Sequence, residues 1–230
     1  MSLLLRLLDG TATLMTRALC RLEGEAEFDK VPSQGPLILM TNHVNNLEIP
    51  VLRHGLKPRI VRALSKAESW ESPILGRMLD AWEAIPVRRG ESDIGALRTS
   101  LDVLRSNGIL GIAPEGTRSR DGVLGKGNTG ITTIALKSLA PILPLAFYGG
   151  EKLQENLRRL RRTPFTVRVG EPFMLSAGDG RVTREIREQM TEEIMYRLAA
   201  LLPDRYRGPY ADLSSASETY LRFGFGQPGN

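Results

Sequence analysis

The sequence predicts an α/β fold with a central, mixed but largely parallel sheet flanked by helices. Two observations carry that expectation: short apolar runs recur at the length of buried strands, and amphipathic segments at helical period lie between them. Taken in order, the first element is a helix. In MSLLLRLLDGTATLMTRALCRL, residues Leu4, Leu8, Thr11, Met15, Ala18 and Leu22 make one stripe; Arg6, Asp9, Thr13, Thr16 and Arg17 lie away from it, and Gly10 is a candidate break. Such a stripe either packs on the protein's own domain or lies in a membrane interface, and both readings stand at this point. A bilayer span is not expected, because each charge at the centre of the run costs about 2.5 to 3.5 kcal/mol. Nor does the segment read as an export signal, having no basic head region and no small-residue cleavage site before Cys20.

Strands are expected at 36–41, 59–64, 84–87, 109–113, 142–148 and 165–169. Between the fourth and the one before it, residues 92–107 read as a helix with Ser92 or Asp93 as cap. Its stripe is Ile94, Leu97, Leu101 and Leu104, and Asn107-Gly108 is the stop. A last helix runs from about 183 to 202, with Ile186, Met190, Ile194, Leu198 and Leu201 on one side and Pro203 ending it. The remaining tail, rich in Tyr, Gly, Pro and Ser, shows no strong period.

Composition narrows the function classes. The 230 residues suit one large domain, and 41% hydrophobic with 25% charged residues is ordinary for a globular protein. Cys20 is the only cysteine, which excludes an intramolecular disulfide and a thiolate-rich zinc site and makes a reducing setting the simpler expectation. His54, eleven residues from His43, is the only other histidine, so no metal site is expected. The net charge is +5, and arginines outnumber lysines 25 to 6. Guanidinium forks suit phosphate and carboxylate better than ammonium points do, so a phosphorylated partner is expected. The cluster RRLRR at 158–162 lacks nearby aromatics to stack on bases, which weighs against nucleic acid. An anionic lipid surface or a solvated helix end accounts for it equally well.

The chemistry-bearing residues fall at strand ends, where α/β folds place their ligands. PLILM runs straight into Thr41-Asn42-His43, and Pro50 tolerates a first helical turn, which puts a helix start near 46–48. Five residues on one continuous helix would set His43 and Glu48 about 140° apart. They meet only if His43 lies outside the helix and folds back. Such a pair would hold one imidazole tautomer while the other nitrogen takes a proton; a turn-capping histidine beside a surface acid is the alternative. AIPVRRG puts Arg88 and Arg89 at another strand end, and GIAPEGTRSRDG puts Glu115, Gly116, Thr117 and Arg118 at a third. Gly116 would let backbone amides approach an oxyanion, Thr117 would donate a hydroxyl, and an arginine pair would grip a phosphate.

These motifs, NHVNNLE, IPVRRG, PEGTRS and PILPLAF in that order, together with SKAESWESPILGRML and GKGNTG, resemble those of the glycerolipid acyltransferase family typified by bacterial 1-acylglycerol-3-phosphate O-acyltransferase. The likeness covers about residues 25–175. It implies an acyltransferase fold and the transfer of a fatty acyl group from acyl-CoA or acyl carrier protein to the free hydroxyl of 1-acylglycerol-3-phosphate in phospholipid synthesis. His43 would be the general base supported by Glu48, with Arg88 and Arg118 on the acceptor phosphate and Glu115, Gly116 and Thr117 shaping the glycerol site. Lys126 would add to the phosphate or CoA field, and Pro144 would end or bend a strand. No cofactor is implied, the acyl thioester being a co-substrate. The family pattern has aspartate where this chain has Glu48, an arm longer by roughly 1.5 Å, so either the helix is set back or the dyad is misaligned. The alternatives are another lyso-lipid acceptor or a catalytically weak acyl-CoA or lipid binder. The expected organisation is a membrane-associating helix over 1–24, an acyltransferase domain over 25–203 and a tail over 204–230. The expected setting is peripheral, on the cytoplasmic face of the cell membrane, with an anionic membrane surface as partner and no nucleic acid.

Overall fold

The structure is a computed structural model that describes residues 3–45, 47–88, 93–119, 121–178 and 180–224, with side chains from Asp9 onward. In chain order the elements are α1 (Leu3–Leu19), β1 (Cys20–Glu23), β2 (Leu37–Thr41), α2 (Glu48–Gly55), β3 (Val61–Lys66), α3 (Pro73–Ala81), β4 (Ile85–Val87) and α4 (Ile94–Arg105). They continue with β5 (Ile109–Ile112), α5 (Gly130–Ser138), β6 (Ile142–Tyr148), α6 (Leu153–Arg158), β7 (Thr163–Val169), β8 (Met174–Leu175), α7 (Arg184–Ala199) and β9 (Leu221–Arg222). The main sheet has the order β1-β7-β6-β2-β5-β3-β4. From β6 to β4 all neighbours are parallel, while β7 runs antiparallel to β6 and takes β1 with it.

Each run expected to be a strand is one, from β2 to β7. Their continuous apolarity follows from burial on both faces. Along β2, Ile38 and Met40 join the core under α4, α5 and α7, whereas Leu37 and Leu39 join the opposite core with Val51 and Leu52 of α2. Pro144 neither ends nor breaks β6. It lies one residue beyond the antiparallel ladder that starts at Leu145↔Val169, so its missing N–H falls outside the β7 pairing, and its carbonyl still accepts from Gly170 N at 2.9 Å. Strand β1 was hidden in the sequence because CRLE continues the helical pattern of α1.

Several sequence expectations are corrected. Helix α1 is unbroken at Gly10, which is exposed with open space around it, so glycine there costs only its intrinsic helix penalty of about 1 kcal/mol. The described members of its apolar stripe within α1 do not pack on the domain, whereas Leu22, the last member, falls in β1 and packs against the core. Thr11, Met15 and Ala18 are exposed, as is Leu14 at 71%, while Asp9 and Thr16 are buried. The reason is electrostatic: Asp9 accepts a bidentate pair from Arg53 of α2 at 2.7 and 3.0 Å and a third bond from the Trp82 indole at 3.1 Å. In α4 the cap is Asp93, whose carboxylate accepts from Ala96 N; Ser92 lies outside the described residues. The buried face of α4 is Ala96, Ser100, Val103 and Leu104, with Ile94 left exposed. Small residues let this helix approach its neighbours, and the Ser100 hydroxyl is satisfied by Ala96 O at 2.7 Å. The tail up to Phe223 is also structured: Tyr206, Tyr210 and Leu221 are buried, and β9 pairs with β8. Buried Glu193 of α7 pins it by accepting from Ser217 Oγ, Thr219 N and Tyr220 N.

The Asp9–Arg53 pair makes a stability prediction. Asp9→Ala leaves a guanidinium buried against α1 and should cost about 3–5 kcal/mol in a urea titration. The double replacement Asp9→Leu with Arg53→Met should recover most of that loss, and a non-recovering double variant contradicts the pairwise account.

Candidate active site

The carboxyl end of β2 carries the site. Asn42, buried after the last residue of the strand, donates to Phe147 O at 2.7 Å and accepts from Phe147 N at 2.8 Å, so its amide imitates a further ladder pair with β6. His43 follows in the loop before α2, and α2 begins at Glu48 itself. The loop therefore folds the imidazole back over the helix start. His43 Nδ1 lies 3.0 Å from Glu48 Oε2, while Oε1 of the same carboxylate accepts from Val44 N at 2.9 Å and Asn45 N at 2.6 Å. An ionised carboxylate accepts only, so Nδ1 carries the hydrogen and Nε2 keeps its lone pair. The Glu48 side chain is 3% exposed and that of His43 26%, so the acid is buried while the imidazole reaches solvent in part. The longer arm of glutamate is absorbed by this geometry, since the contact closes at hydrogen-bond distance.

A second carboxylate holds the backbone of the same histidine. Glu115, buried beyond β5, accepts from His43 N at 3.2 Å through Oε1 and from Gly125 N at 2.7 Å through Oε2. Burial pushes its pKa up, and the hydrogen bonds from Gly125 and His43 oppose that rise. Ser119 N donates to His43 O at 2.8 Å, so the segment 115–119 grips both backbone polar groups of His43. Both Glu115 oxygens are thus engaged with backbone amides, an arrangement that braces the loops around His43 and Gly125. Gly116 adopts φ +67, and its own amide donates to Ala113 O. The left-handed turn is what requires glycine here. Asn128 closes that turn by donating to Pro114 O and Glu115 O, both at 3.0 Å.

Thr117 and Arg118 are exposed and adjoin Ser119, which places them beside His43. Lys126 is exposed and follows Gly125, the residue bonded to Glu115. Arg88 is exposed just past β4, its amide held by the Asp93 cap at 3.0 Å. Strand β4 is the edge strand, three positions from β2, or about 14 Å at normal strand spacing. Arg88 therefore shares the carboxyl edge of the sheet without adjoining the dyad. Arg89 lies outside the described residues. His54, at the far end of α2, contacts Arg17 at 3.2 Å and is remote from this chemistry. Among the described residues no cluster of three or more His, Cys, Asp or Glu is disposed to hold a metal ion.

The Acyltransferase family model matches residues 25–148, more than half of the chain, and spans β2, the dyad, the Glu115 turn and β6. The chain belongs to the acyltransferase family. The enzyme is similar to the 1-acyl-sn-glycerol-3-phosphate acyltransferase of Bacillus subtilis (strain 168), at 25% identity over 173 residues, covering 75% of this chain and 84% of that one. A Pseudomonas aeruginosa protein of the same description is 23% identical over 212 residues, covering 90% of this chain and 80% of the relative. Among solved structures, the 1-acyl-sn-glycerophosphate acyltransferase PlsC from Thermotoga maritima superposes with a TM-score of 0.58 at 21% identity, over 86% of this chain and 78% of that chain. That likeness establishes the shared fold.

Several residues that build the acyltransferase site were not singled out by its sequence. Asn42 and Asn45 work through side-chain amide geometry, buried for Asn42 and part-buried for Asn45, which donates to Gly150 O at 3.1 Å and accepts from Leu47 N at 2.8 Å. Their only sequence signal is an asparagine at each side of a strand-to-helix turn. Tyr206 and Tyr210 come from the tail. Tyr206 O accepts from Leu124 N at 2.8 Å and Tyr210 Oη accepts from Gly127 N at 3.3 Å, bracketing the loop whose Gly125 holds Glu115. No local signal announces contacts so distant along the chain.

Two predictions follow from this geometry. Asn42→Leu orphans the buried N–H and C=O of Phe147 and should cost about 1–3 kcal/mol for each group, read as a shifted urea midpoint. For Glu115, a folded-state pKa above the unfolded one means the folded form binds the proton more tightly. Its contribution to stability therefore declines as pH rises from the ordinary glutamate value through the raised one. Glu115→Gln removes that slope, so the stability of the variant relative to wild type should improve steadily with pH; a pH-independent difference contradicts the assignment.

Proposed function

We propose that the enzyme transfers a fatty acyl group from acyl-CoA or acyl carrier protein to the free hydroxyl of 1-acylglycerol-3-phosphate, with His43 as general base and Glu48 as its partner. The observation that carries this reading is the dyad: Nδ1 of a part-exposed imidazole lies 3.0 Å from a buried carboxylate, so that Nε2 is available for the acceptor. The names of the relatives supply the acceptor class. In the reaction, Nε2 removes the proton of the acceptor hydroxyl as its oxygen attacks the thioester carbonyl. Collapse of the tetrahedral intermediate breaks the C–S bond, and the imidazolium returns the proton to the leaving thiolate. Glu48 stabilises the transient imidazolium and prevents ring rotation. General-base assistance of this kind gives about 10²- to 10⁴-fold, and orientation of the two substrates supplies the rest.

Arg118, next to the segment that grips His43, is assigned the acceptor phosphate, with Arg88 and Lys126 adding positive field along the same edge of the sheet; Thr117 and Gly116 border the acceptor. No cofactor enters the scheme. The enzyme works peripherally at the cytoplasmic face of the cell membrane, where its lipid substrates lie. Two observations support a peripheral mode: among the described residues no helix is long and apolar enough to cross a membrane, and the described apolar stripe of α1 faces outward.

The test is thiol release from acyl-CoA in the presence and absence of 1-acylglycerol-3-phosphate. Release should require the acceptor, and His43→Ala should lower kcat by about a hundredfold or more; full activity in that variant removes the proton-transfer role. Arg118→Ala should raise the KM for the phosphate-bearing acceptor far more than for a phosphate-free monoacylglycerol. Equal effects on both acceptors contradict the phosphate assignment.

A further inference from the structure

We propose that the turn joining α6 to β7, residues 157–162, is a docking surface for an anionic phospholipid bilayer that sets the His43 face of the enzyme against the membrane. The proposal rests on the reading of this acyltransferase as a lipid-acting enzyme and adds where it touches the membrane and in which orientation.

The turn ends α6 in a left-handed cap and sets a large apolar side chain at its apex. Leu160 is 94% exposed at its apex, in the left-handed region at φ +52. Glycine or asparagine adopts that conformation at lower cost, so a leucine there is unfavourable both for the backbone and for water. Leu157, a turn earlier, is half exposed. Around the two leucines stand Arg158, Arg159, Arg161 and Arg162, all exposed. Arg159 pairs with Glu155 at 3.0 Å, whereas Arg158 and Arg161 form no ion pair among the described residues. Exposed leucines ringed by arginines match a surface with phosphate above and hydrocarbon below. The absence of aromatics in 157–162 leaves no stacking platform for nucleic acid.

The turn is also held in place. Leu160 N donates to Leu157 O at 3.1 Å, Arg161 N to Asn156 O at 2.8 Å, and the Asn156 amide to Thr163 Oγ1 at 3.1 Å. Arg162 points the other way and ties the turn to the end of α1, donating to Arg17 O and Cys20 O at 2.6 Å each. The turn is thereby fixed to the end of the helix whose Leu14 and Met15 are exposed.

Topology supplies the orientation. Because β7 is antiparallel to β6, with Tyr148 opposite Thr166, the residues preceding Thr163 project beyond the carboxyl end of β6. That is the end of the sheet at which β2 delivers His43. The order β7-β6-β2 puts the turn about 10 Å sideways from the β2 strand. Leu139 provides an internal contrast: it too is exposed at positive φ, yet it precedes β6 and so lies at the opposite end of the sheet.

The experiment is co-sedimentation of the full-length protein with vesicles of phosphatidylcholine alone or mixed with phosphatidylglycerol, beside turnover of a soluble short-chain acceptor and donor. Wild type should bind the anionic vesicles, bind phosphatidylcholine weakly, and lose affinity with salt. Arg158→Ala with Arg161→Ala should weaken anionic binding about twenty-five-fold, from roughly fivefold per arginine. Leu160→Asp should weaken it as well, while Leu139→Asp should not, and all should keep wild-type turnover of the soluble pair. Undiminished binding in the arginine and Leu160 variants overturns the proposal, as does binding lost only through Leu14→Asp with Met15→Asp. Preferential binding of duplex DNA over anionic vesicles also overturns it. Vesicle binding is read without turnover, so an inactive wild type that still partitions through this turn separates failure of the acyl-transfer reading from failure of the docking surface.

Discussion

The arrangement of the site depends on one carboxylate, that of Glu48 at the first position of α2. One oxygen orders the imidazole and the other collects two consecutive backbone amides of the loop that carries it. Three hydrogen bonds, together with the favourable field at a helix amino terminus, offset the desolvation of a nearly fully buried acid. The same interaction thus closes the loop, starts the helix and selects the tautomer. A histidine attached to a loop would otherwise sample several rotamers.

Around that anchor the parallel sheet brings distant segments to one edge. Neighbouring strands β2 and β5 end side by side, so the residues after β5 reach the His43 backbone directly. Glu115 is spent on this bracing, with each oxygen on an amide of a different loop. The tail then buttresses the second of those loops through Tyr206 and Tyr210. Placement of His43 is therefore a layered property, in which backbone hydrogen bonds between loops carry the precision.

Helix α1 illustrates how a local pattern is overruled. Its polar side is turned inward because Asp9 finds Arg53 and Trp82 on the domain, and a buried bidentate pair cannot be left half made. Leu14 and Met15 are consequently left exposed. Amphipathicity predicted a helix with two unlike faces; only the partner residues decided which face was covered.

By itself the sequence determined the fold class, the strands from β2 to β7 and the principal helices, because strand-length apolar runs and caps are local signals read within a few residues; strand-end motifs pointed to the candidate site positions in the same local way. It also determined that His43 and Glu48 could meet only across a turn. The tertiary structure decided what depends on contacts far apart in the chain: the polar docking of α1, the small-residue face of α4, the pairing of β1 with β7 and the ordering of the tail. It decided as well that Glu115 supports a backbone, and that Arg88 stands three strands away from the dyad. Those outcomes turn on which buried polar group finds which partner, and such pairings follow from the three-dimensional meeting of surfaces, which no local periodicity encodes.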